Sequence, residues 1–118
     1  MPHHTPPREL QECIRDCAEC ATVCAQTAHH CLGLGGKHAS QEHQGLLRDC
    51  AQMCSVAAGF MTRMSRYATA LCRECTEICA ACAADCERLG HGDEQMTRCA
   101  EVCRGCARSC ERMVGATV

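Results

Sequence analysis

The sequence predicts an all-α protein, an antiparallel up-down-up-down four-helix bundle with a cysteine-lined core. Three observations predict it. Between Cys72 and Cys86 the chain reads CRECTEICAACAADC, with cysteines at 72, 75, 79, 82 and 86; steps of three and four residues stack side chains on one helical face. The same steps recur at Cys13, Cys17, Cys20 and Cys24, with Cys31 one heptad on, and again at Cys99, Cys103, Cys106 and Cys110. Stripes of this period are the inward seams of helical bundles. A fourth stretch carries the seam His43, Leu47, Cys50, Cys54, Ala57, Met61, Met64, so all 16 cysteines lie on four seams.

The elements follow in order. At 118 residues the chain is expected to be one domain, 1–118, with 1–6 as a flexible, Pro-rich leader. Pro7 suits the first turn of helix 1, where its missing N–H is no loss. Helix 1 runs to about Leu32 on the seam Leu10, Cys13, Cys17, Cys20, Cys24, Thr27, Cys31, and the cluster Gly33, Leu34, Gly35, Gly36 stops it. Ser40 is the expected N-cap of helix 2, with Glu42 in its first turn. The end of helix 2 carries no Gly or Pro, and seam phase places it: continuing beyond Met64 would miss Cys72, Cys79 and Cys86. One helix from Ser40 to Leu89 would also be about 75 Å long, too long for a compact domain of this size. A break is therefore expected near Tyr67, with Thr69 as N-cap of helix 3. Helix 3 ends before Gly90, His91 and Gly92. Asp93 caps helix 4, whose seam is Met96, Cys99, Cys103, Cys106, Cys110, Met113. Short turns between four such helices give the antiparallel bundle.

Composition narrows the function. The net charge is −2, and there is one Phe, one Tyr and no Trp; a nucleic-acid partner would call for a basic patch or stacking aromatics. No apolar run approaches the roughly 20 residues of a membrane span, so no membrane partner is expected. The start, MPHHTPPREL, does not read as a secretory signal. The expected location is cytoplasmic, where thiols stay reduced and dense cysteine points to metal rather than disulfides. Leu46, Met53, Phe60 and Tyr67, spaced by seven on a flank of helix 2, either complete the core edge or form a subunit interface.

Cysteine is too regular here to be apolar filler, since it takes nearly every inner position on three helices. A catalytic thiol needs one activated, partly exposed cysteine rather than a buried column, so the chain is not expected to be an enzyme. Soft thiolates select Cu(I), zinc or iron-sulfur clusters. Sixteen monovalent Cu(I) neutralise 16 thiolates, whereas four tetrahedral Zn²⁺, with eight positive charges, would leave about eight buried negative charges, a heavy penalty. Iron-sulfur centres use discrete cysteine groups. Many Cu(I) ions per chain are therefore expected; a zinc- or redox-responsive thiol-rich binding module is the alternative.

The C-x3-C-x2-C-x3-C seams resemble the cytosolic copper storage proteins, cysteine-rich four-helix bundles that hold many Cu(I) ions. The resemblance covers Pro7 to Val114. It implies storage or sequestration of Cu(I) in multicopper thiolate clusters, protection against copper toxicity with possible supply of copper enzymes, a homotetramer, and no catalytic turnover. By position it falls on all 16 cysteines: Cys13, Cys17, Cys20, Cys24, Cys31, Cys50, Cys54, Cys72, Cys75, Cys79, Cys82, Cys86, Cys99, Cys103, Cys106 and Cys110. Helix 2 departs with two cysteines only, which leaves Met61 and Met64 as thioether ligands or an apolar plug. Antiparallel topology gathers Cys13, Met61, Met64, Cys72, Cys110 and Met113 at one end, and His30, Cys31, His43, Cys86, His91 and Cys99 at the other. His43, on the seam, and His91 are the candidate imidazole ligands. Copper is expected to enter at the end bearing Met61, Met64 and Met113, with the histidine end as the rival door and an apolar plug as the other reading of the methionines; His3 and His4 in the leader are weak metal-capturing candidates.

Overall fold

The computed structural model describes residues 7–116, so the leader, with His3 and His4, lies outside the described residues. The elements are α1 (Arg8–Leu34), a 3₁₀ turn (Gly36–Ala39), α2 (Gln41–Thr62), α3 (Ala68–Leu89) and α4 (Glu94–Ala116). Each helix packs on its neighbours in sequence and α4 closes on α1. The antiparallel order brings the start of α1 to the end of α4, with Cys13 and Cys110 sulfurs 3.7 Å apart. No helix is long and apolar enough to cross a membrane among the described residues.

Local chemistry sets the boundaries. α1 runs two residues past the expected Leu32 and ends at Gly35, whose φ of 74° is open to glycine and whose N–H bonds to the Cys31 carbonyl. The 3₁₀ turn, not foreseen, fills the connection to α2. Ser40 caps α2 as expected, its Oγ accepting from His43 N–H at 3.2 Å. Asp93 caps α4, accepting from Met96 N–H at 2.9 Å.

The α2–α3 corner corrects two expectations. α2 ends at Thr62, and Met64 takes the left-handed conformation with φ 55°. Met64 N–H bonds to Met61 O and Ser65 N–H to Phe60 O, the paired closure usually centred on glycine. A methionine in the glycine position is why sequence punctuation failed here. Met64 consequently leaves the seam and is 56% exposed. Thr69 does not cap α3: the N-cap is Tyr67, without a side-chain bond.

Sulfur dominates the core. No cysteine is more than 1% exposed, and Leu47, Met61, Met96, Thr27 and His43 fill the remaining large positions. Leu46 and Met53 pack against this core as half-buried edge residues. Tyr67 is exposed with Arg66 5.0 Å over its ring, and Arg63 lies 4.9 Å over Phe60.

Candidate metal centre

Because seams recur on four helices, each level of the bundle receives thiols from several directions. All 16 are free. From the methionine end inward, Cys110 meets Cys17 at 3.6 Å, Cys106 meets Cys17 at 3.5 Å, and Cys54 meets Cys75 at 3.6 Å and Cys79 at 3.5 Å. Further along, Cys20 meets Cys50 at 3.9 Å and Cys103 at 3.7 Å, and Cys24 meets Cys103 at 3.5 Å and Cys99 at 3.8 Å. A four-coordinate soft ion with bonds of about 2.3 Å spans sulfurs about 3.8 Å apart, so the column is spaced for metal–thiolate bonding.

The thiols assemble into quartets whose sulfurs all lie within 4.8 Å of one another. Ordered along the axis, Cys17/Cys75/Cys106/Cys110 shares Cys75 and Cys106 with Cys54/Cys75/Cys79/Cys106, which shares Cys54 and Cys79 with Cys20/Cys50/Cys54/Cys79. That quartet shares Cys20 and Cys50 with Cys20/Cys24/Cys50/Cys103, which shares Cys24 and Cys103 with Cys24/Cys82/Cys99/Cys103. Successive quartets thus share an edge. A ladder of shared edges suits bridging thiolates between many monovalent ions; separate dications would each need their own four thiolates.

The two ends differ. At one, the Cys72 thiol donates to Met61 Sδ at 3.5 Å. Met113 is half-buried there, while Met64 faces solvent. At the other, Cys31 Sγ lies 3.4 Å from His43 Nε2, and His43 Nδ1 lies 2.6 Å from Asp85 Oδ2. Asp85 also receives Arg88. Burial raises the Asp85 carboxyl, but the His43 and Arg88 hydrogen bonds outweigh it and hold the group below its usual value. His91 is exposed, in the turn before α4, and does not join His43 on the seam. His30 pairs with Asp93 at 2.8 Å instead of pointing into the column.

Proton affinity follows burial and neighbours. Burial, with the charges of Asp93 and Cys99, pushes the Cys31 thiol up to about 11. At Cys72 the Cys110 contact pulls down, but the Cys13 contact and burial push harder, and the thiol rises to about 12. Deeper in, contacts with Cys103, Cys106 and Cys24 favour the anion at Cys20, while contacts with Cys103 and Cys20 keep Cys24 protonated.

Sequence reasoning missed Asp85, whose only signal was its place beside Cys86 on a seam antiparallel to that of His43. Met96 was placed on the seam, and its complete burial puts a thioether at the histidine end too.

The relatives agree with this arrangement. No match was found among curated proteins. Among solved structures, the Nmul_A1745 protein of Nitrosospira multiformis is 40% identical, with 92% of this chain and 97% of that one covered and a TM-score of 0.86. The Cu(I)-bound copper storage protein BsCsp3 of Bacillus subtilis is 29% identical over 91% of this chain and 99% of its own, TM-score 0.83. A cytosolic copper storage protein of Streptomyces lividans, carrying five coppers, is 28% identical over 91% and 92%, TM-score 0.81. The family described as copper storage protein matches residues 7–115, all four helices and every cysteine: the chain belongs to the copper storage protein family.

Proposed function

We propose that this chain stores Cu(I) in the cytosol, binding many ions through its core thiolates, protecting against copper toxicity and supplying copper to enzymes. The observation that carries the reading is the edge-sharing ladder of buried thiol quartets, because a sealed sulfur column suits holding ions rather than turning over a substrate. The 16 cysteines are the ligands, with Met61 closing one end through Cys72 and His43 closing the other through Cys31. His91 serves outside the column, and Met64 is withdrawn from the ligand set because its side chain is exposed. The chain works as a single domain, 1–118, without catalytic turnover. The exposed Val56 on α2 and Tyr67 at the N-cap of α3 favour assembly of copies, as a homotetramer.

Anaerobic titration of reduced protein with Cu(I) against a chromogenic chelator tests the reading. Uptake approaching one Cu(I) per cysteine is expected. Saturation near four equivalents, with zinc outcompeting copper, would overturn it in favour of a zinc module.

A further inference from the structure

A soft monovalent ion among thiols travels on a thiolate carrier. Handover is a ligand exchange, so the carrier's copper must come within bonding distance of an acceptor sulfur. Yet no cysteine here is more than 1% exposed. Two of the surface clefts nevertheless have a cysteine in their walls. The smaller, about 200 Å³, sets Cys106 among Asp16, Glu19 and Glu101, a ring that repels an anionic carrier. The larger, about 540 Å³, lies between α3 and α4 at the histidine end, with Cys86 in its wall beside His91; unlike the smaller cleft, whose lining holds no basic residue, it offsets its two acids, Glu87 and Glu101, with Arg104 and Arg108. That volume falls in the range of small-molecule sites.

The charges of the larger cleft are unevenly committed. Arg104 is tied to Glu87 at 2.7 Å. Arg108 is exposed and has no acidic partner among the described residues, leaving its guanidinium fork open to a carboxylate. His91 is exposed on the same cleft. Behind Cys86, Cys82 and Cys99 are the thiols acting most strongly on it, and both belong to the quartet Cys24/Cys82/Cys99/Cys103.

We propose that this cleft receives Cu(I) carried by a small carboxylate-bearing thiol of about tripeptide size, the carrier's carboxylate resting on Arg108 and its copper passing to Cys86. The assignment rests on the storage reading above. In the exchange, Cys86–SH meets a carrier complex in which one Cu(I) bridges two thiolates. A Cu–S bond to Cys86 forms, one Cu–S bond to the carrier breaks, and the Cys86 proton leaves on the released carrier thiol. A second protein thiol, Cys82 or Cys99, displaces the other carrier thiolate in the same way. Copper stays Cu(I) throughout and no oxidant is used. His91 offers a neutral nitrogen at the mouth before the sulfur is reached.

The test is stopped-flow uptake by reduced apo protein from Cu(I)–glutathione, compared with the acetonitrile complex of Cu(I), which bears no carboxylate. With glutathione, rates should saturate with carrier concentration, and Arg108→Glu should raise the half-saturating concentration about 10-fold, the loss of one charged hydrogen bond. With the acetonitrile complex the same variant should match the wild type. Arg108→Lys should recover part of the loss. Equal half-saturation in Arg108→Glu and wild type, or equal slowing with both carriers, overturns the proposal. Equilibrium capacity, read separately with a chelator, keeps the two claims apart. Capacity near one Cu(I) per cysteine without a carrier effect sinks the cleft alone, whereas capacity near four sinks the storage reading beneath it.

Discussion

Asp85 holds His43 from behind: its Oδ2 lies 2.6 Å from His43 Nδ1, and the opposite ring nitrogen, Nε2, lies 3.4 Å from Cys31 Sγ. A carboxylate accepts only, so Nδ1 carries the hydrogen and the Nε2 lone pair faces the thiol, the orientation an imidazole needs to bind metal.

Asp85→Asn should therefore disturb the terminal site selectively. An amide can donate to Nδ1 and turn the other tautomer's N–H toward Cys31. Chelator competition should show the equivalent bound by Cys31 and His43 weakened about 10- to 100-fold, the usual range for such partners, with the remaining equivalents unchanged. Uniform binding across all equivalents would sink the role given to His43.

Met64 sits where glycine is favoured. Holding a non-glycine residue in the left-handed region costs about 1–2 kcal/mol, and glycine's greater unfolded-state freedom takes back about 0.5–1 kcal/mol. Met64→Gly should stabilise the reduced apo protein by about 0.5–1 kcal/mol, seen as a higher urea midpoint, without reducing copper capacity. A drop in capacity would return Met64 to the ligand set.

Gly90 is glycine for room rather than conformation. A Cβ there would lie 2.5 Å from the Cys86 carbonyl oxygen and 2.7 Å from Met96 Cβ. Gly90→Ala should destabilise the apo protein by about 1–3 kcal/mol, the range for overpacking. Denaturant unfolding followed by far-UV circular dichroism measures it.

Reduced, metal-free protein should be helical, because neutral thiols pack as small apolar groups. Its stability should fall at high pH. The folded-state pKa values of Cys31, about 11, and Cys72, about 12, lie above an ordinary thiol, so above about pH 9 the unfolded chain releases those protons first. The unfolded state then binds fewer protons and the stability slope with pH turns negative. Thermal unfolding in reductant between pH 7 and 10.5 should show a falling midpoint; a rising one would contradict the raised thiols of Cys31 and Cys72.

The helices and their sulfur faces were determined by sequence alone, because stripe period is local: steps of three and four residues place Cys72 to Cys86 on one face whatever surrounds them. Ser40 and Asp93 were legible as caps for the same reason, each bonding within a few residues of itself. Tertiary structure decided what depends on distant chain segments. The sharing of Cys54 and Cys79 between quartets depends on the axial register of α2 against α3, and Asp85 reaches His43 only through that register. Met64 was placed on the end of a seam by period and His91 at the end of the bundle by antiparallel topology, but period holds only while the helix continues and topology does not aim a loop side chain. The turn at Met64 and the loop at His91 break the helical phase, and both side chains are set by the corner rather than by the stripe.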